Sequence, residues 1–173
     1  NLIGGLLIIG EKRFKQGDWI SVEGVAEGSV ERIDFRTTLI RRFDKAPIYV
    51  ANSVLSDSEI INFSEMPFRR IRFHVGLIYQ TTPEKILAIR KDIEEYIEKN
   101  KNLVDAKDQP STIRVTNFND SSIDMLVNCF TKSTQWHDFC IAREELLLEI
   151  IEIVKRNGSD FAYPTQTIHL EKD

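Results

Sequence analysis

Between Trp19 and Phe63 the chain is punctuated too often to carry a helix of useful length. Four β-prone runs, residues 19–22, 29–35, 37–42 and 48–51, are cut by Glu23-Gly24, by Glu27-Gly28 and by the link 43–47. Gly24 and Gly28 stand where a turn needs a positive φ or where two backbones approach closely. Val30, Ile33 and Phe35 break strict alternation, which predicts a bulge or sharp curvature in that run. Short strands that bend this strongly read as a small all-β barrel.

From Arg69 the pattern changes. Ile71, Phe73, Val75, Leu77 and Tyr79 alternate with Arg72, His74, Gly76 and Ile78, giving a strand with one apolar face. Thr82-Pro83-Glu84 is a helix start: a hydroxyl to cap a free amide, a proline suited to the first turn, and a carboxylate at the positive end of the dipole. Ile86, Ile89, Ile93 and Ile97 then share one helical face. Runs 113–118 and 122–130 flank Asn119-Asp120-Ser121 as a hairpin, and a long helix over 136–155 ends at Asn157-Gly158. With the final runs 161–164 and 165–170, the order β-α-β-β-α-β predicts a ferredoxin-like sandwich with both helices on one face of the sheet.

Ahead of both regions, residues 1–10 are almost wholly apolar before charge arrives at Glu11, Lys12 and Arg13. A short helix apolar on all sides must pack against lipid or neighbouring helices, and Gly4 and Gly5 would let helices approach closely. The run is about half of what a bilayer crossing needs. The chain opens on Asn rather than Met, which we read as a portion of a longer protein. A length of 173 residues with 42% hydrophobic content supports one domain or two small ones.

The search for reactive chemistry yields little. His74, His137 and His169 are scattered over three elements, with no HExxH motif or cysteine pair beside them. Cys140 follows His137 by one helical turn, but it sits between Phe139 and Ile141 in a helix that must bury a face, so core packing is the simpler reading. Cys129 and Cys140 form no CxxC unit, and no disulfide is expected. Gly24 and Gly28 lack the Gly-Lys-Ser/Thr tail of a phosphate loop. No enzyme, metal or cofactor is therefore expected. Arginines cluster at 32, 36, 41, 42, 69, 70 and 72, yet acidic residues fill the same interval and the net charge is -4, so ion pairing between domains or subunits is preferred to nucleic-acid binding.

An ordered series of residues carries a resemblance. It runs through Asn1, Leu2, Gly4, Gly5 and Leu6, then Phe14, Gly17, Asp18, Trp19 and Ile20, then Gly24, Gly28, Thr37, Thr38, Asn52, Asn62, Phe63 and Ser64. It continues through Arg69, Arg70 and Ile71 to Gly76 and Tyr79, and ends on 159–164. In this series the chain resembles the MscS-like family of mechanosensitive channels, and the stretch 128–136 looks most like the YnaI-type branch. One departure stands out: the family has Pro where Ala51 precedes Asn52, which removes a preset φ from that turn.

The resemblance implies a mixed fold. Residues 1–13 would end the last pore helix, 14–68 would form an Sm-like β-barrel domain, 69–164 a ferredoxin-like α+β sandwich, and 165–173 a strand of an intersubunit β-barrel built from Thr167, Ile168, His169 and Leu170. Asn1, Leu2, Gly4, Gly5 and Leu6 would lie at the pore exit, and Arg69 and Arg70 would be vestibule or domain-joint charges. The implied protein is a homoheptamer in a bacterial inner membrane, with this portion mostly cytoplasmic. It opens under bilayer tension and passes ions and small osmolytes, with membrane lipids as partners of the upstream part and no nucleic acid. The alternative is a soluble Sm-like module that binds RNA or protein.

Overall fold

A computed structural model describes residues 10–168, and the chain divides between Met66 and Pro67 into two units. The first holds β1 (Trp19–Val22), β2 (Ala26–Ile33), β3 (Thr37–Arg41), β4 (Pro47–Ala51), the short helix α1 (Asn52–Ser56), β5 (Ile61–Asn62) and a 3-10 turn (Phe63–Glu65). Its antiparallel strands run in the order β4-β3-β2-β1-β5. The β1–β2 hairpin turns at Gly24, whose φ of 69° suits a residue without a Cβ. The register with β3 shifts between Val30 and Arg32, the bulge that the broken alternation predicted. Phe14, Ile20, Val22, Val30, Ile40, Val50 and Leu55 fill the core.

The closed barrel expected for this unit is not formed. Helix α1 begins directly after β4, and β5 has two residues that pair only with β1, so β4 and β5 never meet and the described sheet stays open. Closure requires every strand to find two neighbours at a consistent tilt and stagger. A two-residue strand at one edge and a helix at the other leave nothing to complete the ring.

The second unit contains β6 (Arg69–Leu77), α2 (Pro83–Lys99), β7 (Thr112–Phe118), β8 (Ile123–Thr131) and α3 (Trp136–Arg156). Its sheet has the order β6-β8-β7, antiparallel throughout. One face of that sheet, including Ile71, Val75, Met125 and Val127, packs with Ile89 and Ile93 of α2 and Leu146 and Ile150 of α3. Each fully buried side chain of this size contributes about 2 kcal/mol through lost apolar exposure. The Thr82 hydroxyl accepts from the Lys85 amide at 3.4 Å, with Pro83 in the first turn. At the other end of the unit's helical layer, Gly158 at φ 67° lets the Ser159 amide reach the Val154 carbonyl at 3.1 Å and closes α3.

The expected fourth strand is reduced to a single bridge, Leu77 to Phe161, flanked by the bonds from the Ile78 amide to Asp160 O and from the Ala162 amide to Gly76 O. Pro164 has no amide to continue such a ladder. Residues 162–168 carry no regular structure, so the C-terminal barrel strand is not formed there; Thr167 and Ile168 are exposed. His169 and Leu170 lie outside the described residues, as do Asn1, Leu2, Gly4, Gly5 and Leu6. The pore-helix expectation also changes, because no described helix is long and apolar enough to cross a membrane. α3 has the length, at 21 residues, but carries Asp138, Arg143, Glu144, Glu145, Glu149, Glu152, Lys155 and Arg156.

Candidate functional site

The residues that the sequence singled out in the first unit converge on two polar ties. The first holds the segment that enters the sheet. Phe14 is buried in the core, and Gly17, at φ 94°, turns the chain so that its amide donates to the Val30 carbonyl at 2.7 Å. The next side chain, Asp18, is itself buried and accepts from the Lys15 amide at 3.0 Å and from Asn62 Nδ2 at 2.9 Å. Lys15 Nζ stands 3.7 Å from the other carboxylate oxygen. Asn62 Nδ2 also donates to the Arg13 carbonyl at 3.1 Å, while its Oδ1 accepts from the Ser64 amide and starts the 3-10 turn. Ser64 Oγ in turn accepts from the Trp19 amide at 2.8 Å. One carboxylate and one amide thus fasten 13–19 to 62–64.

The second tie lies at the far edge of the sheet. Buried Thr38 donates from Oγ1 to Asn52 Oδ1 at 2.8 Å, and Asn52 Nδ2 donates to the Asp34 carbonyl at 2.8 Å and the Phe35 carbonyl at 3.3 Å. Both Asn52 and Thr38 are almost fully buried, so each polar atom needs the partner it has. Ala51, where the family has proline, takes φ -62°, the value proline would impose. Thr37 pairs with Ala51 as β3 starts. Gly28 is required by contact rather than by φ: a Cβ there would run into the Arg41 carbonyl of the adjacent strand.

Sequence reasoning did not single out the side chain of Arg13 as a fastener. Its Nη2 donates to the Ser56 carbonyl at 2.9 Å and its Nη1 to the Ser58 carbonyl at 3.4 Å, and Nε lies 2.9 Å from a Glu11 carboxylate oxygen. The aromatic contacts of Trp19 were missed too: it stacks on Phe63 at 4.2 Å between centroids and meets Phe43 edge-on at 5.5 Å. The signal for both was three-dimensional, since partners 24 to 45 residues away in the chain leave no periodicity to read. Three of the clustered arginines pair within the first unit itself: Arg32 with Asp34, Arg41 with Glu31 through both oxygens, and Arg42 with Asp44.

In the second unit Arg69 lies over the rings of Trp136 and Phe139, 4.8 and 4.5 Å from their centroids, and donates to the Thr134 carbonyl at 3.3 Å. Burial lowers the affinity of its guanidinium for the proton, and the neighbouring Cys140 opposes that shift. Arg70 is exposed. His137 is exposed on α3, whereas Cys140 is half-buried against the core, so the two do not share a cleft. Cys129 is buried and its thiol is pushed up to about 12 by desolvation, which keeps it protonated and unreactive at neutral pH. Among the described residues no cluster of three or more His, Cys, Asp or Glu side chains could hold a metal.

One tie fastens the incoming segment to the open β-sheet, the other fastens the sheet's far edge, and a second, α/β unit follows in the chain. Residues 1–65 match the family described as "Mechanosensitive ion channel, beta-domain", and residues 71–161 match "Mechanosensitive ion channel MscS, C-terminal". The chain belongs to the MscS family of mechanosensitive ion channels. Similar proteins include the low conductance mechanosensitive channel YnaI of Escherichia coli, 36% identical over 99% of this chain and 49% of the relative. The small-conductance mechanosensitive channel MscMJ of Methanocaldococcus jannaschii is also 36% identical, over all of this chain and 48% of the relative. The chain therefore spans about half the length of these curated relatives. Among solved structures, Helicobacter pylori MscS in its closed state is similar at a TM-score of 0.80, with 27% identity, covering 99% of this chain and 65% of that one. Arabidopsis thaliana MSL1 shares the fold at a TM-score of 0.85, with 24% identity, 95% of this chain and 58% of that one covered. The family is one of channels, and the chain is not an enzyme.

Proposed function

We propose that this chain is the pore-exit and cytoplasmic-vestibule part of a tension-gated channel subunit that assembles as a homoheptamer in a bacterial inner membrane. Bilayer tension opens the pore, and ions and small osmolytes leave through it under osmotic shock, with lipids contacting the part of the protein upstream. The observation that carries this reading is the order of the two family matches, β-domain and then MscS C-terminal region, over almost the whole chain. The physical role of the first tie follows from its position. Force arriving along the segment before Phe14 passes into the sheet through Asp18, Asn62 and Arg13 instead of peeling that segment away. Passive flow needs no nucleophile or cofactor, only a fixed wall of charge and shape around the path. A YnaI-type placement is consistent with 36% identity, a value that MscMJ equals. The soluble RNA-binding alternative loses its basis where Arg32, Arg41 and Arg42 are already paired with carboxylates.

Patch recording of the full-length protein in lipid tests the proposal. Stretch-activated openings below the lytic limit are expected. Patches that stay closed up to rupture, with the protein shown to be inserted, would reject tension gating.

A further inference from the structure

Neither helix of the second unit covers the outer face of the β6-β8-β7 sheet. Alternation places Arg70, Arg72 and His74 on that face, all exposed, while Ile71 and Val75 of the same strand point into the core. The register sets Arg70 beside Phe130, Arg72 beside Asn128 and His74 beside Leu126. Across the sheet Arg114 stands opposite Leu126, but its guanidinium is turned to Glu94 at 2.8 Å. The carboxylate that pairing puts on this face, Asp124, lies at the other end beside Gly76, where Ser122 Oγ and Asn119 Nδ2 donate to it. The side chains of Arg70 and Arg72, unlike that of Arg114, make no hydrogen bond or ion pair with any described residue. Both guanidinium groups therefore keep their donor sets for something outside the chain.

The chemistry of that partner follows from geometry. A guanidinium binds a carboxylate or phosphoryl group through two parallel N–H donors, and it sheds its weak hydration more readily than an ammonium does. Residues two apart on a strand project from points about 7 Å apart, so two such forks in file suit an anion with more than one oxyanion group. The Asn128 side chain beside Arg72 adds a neutral amide donor. A nucleic acid would ask for exposed aromatic platforms in addition to charge, and Phe130, the aromatic on this face, is only half-exposed.

We propose that the open face of the β6-β8-β7 sheet binds small multivalent oxyanions, compounds bearing two or more carboxylate or phosphoryl groups, with Arg70 and Arg72 as the recognising residues. The assignment is independent of tension gating, because binding and gating have separate readouts.

Calorimetric titration of the purified full-length protein with tripolyphosphate, glutarate and chloride, at low ionic strength, tests it. Saturable binding of tripolyphosphate or glutarate well above that of chloride is expected, and whichever binds tighter identifies the source as phosphoryl or carboxylate. The double variant Arg70→Gln with Arg72→Gln weakens that binding by about tenfold or more, as loss of two charge-assisted forks requires. Arg72→Lys, which keeps the charge and loses the fork, falls between. Arg143→Gln, which removes one exposed positive charge from α3 and no fork from the sheet face, leaves the affinity within about twofold. Binding in the double variant equal to wild type, or a wild-type titration no stronger than with chloride, overturns the proposal. Both altered side chains are exposed, and an unchanged melting profile establishes that the fold is intact.

Discussion

Asp18 is 5% exposed, yet its carboxylate is not isolated, because a backbone amide, the Asn62 side chain and Lys15 Nζ all approach it. Removing it breaks two part-buried, charge-assisted hydrogen bonds, from the Lys15 amide and from Asn62 Nδ2, each worth about 1–2 kcal/mol. Asp18→Ala is therefore expected to weaken the first tie by about 2–4 kcal/mol. Hydrogen exchange of the full-length protein reads this directly: amides over 13–22 and 61–66 should exchange at least tenfold faster, while those of the second unit keep their rates. Unchanged protection around β1 and β5 would show that the carboxylate is not what holds the segment. Asn52 is tied in the same long-range way, since its Nδ2 donates to the Asp34 and Phe35 carbonyls, 18 and 17 residues back in the chain. Asp18 and Asn62 were noticed as parts of a series, but their mutual bond spans 44 residues and no local rule reaches that far.

At the scale of elements, what was legible is what local physics controls. The Thr82 cap, the Asn157-Gly158 stop, the alternation of β6 and β8 and the bulge after Val30 each depend on residues a few positions apart, and each is present. The barrel and the last strand were not legible, because closure depends on whether distant edges meet. β5 proved too short and residues 162–168 left the sheet. The junction of α2 with the end of α3 carries a pH prediction. Asp92 accepts from Asn157 Nδ2 at 2.9 Å and from Arg156 at 3.2 Å, and these partners, the Asn157 hydrogen bond foremost, hold its carboxyl below the ordinary value of 3.8. A folded-state value lower than the unfolded one stabilises the native state at neutral pH, and that contribution is lost as pH falls through the folded value. Wild type should thus lose thermal stability below about pH 4 more steeply than Asp92→Asn. Identical acid limbs for the two proteins would remove Asp92 from the account.

At the scale of the whole molecule, two cores are drawn from separate stretches of sequence, one from each unit. Leu146 is fully buried in the second, and Leu146→Ala should cost about 3 kcal/mol through lost transfer energy and the cavity left behind. Exchange should accelerate across β6, β7, β8, α2 and α3 and stay unchanged across β1 to β5. Acceleration of equal size in both units would mean that they unfold as one. The first tie also has a consequence for the order of events during synthesis. Its two halves, Trp19 and Ser64, stand 45 residues apart, with every other strand of the first unit encoded between them. The β2-β3-β4 meander can form as it leaves the ribosome, but β1 has no Ser64 to accept its first amide until translation has passed the end of the unit. Until the whole first unit has been made, the segment that follows the apolar start of the chain is therefore held by β2 alone, without its bonds to 62–64.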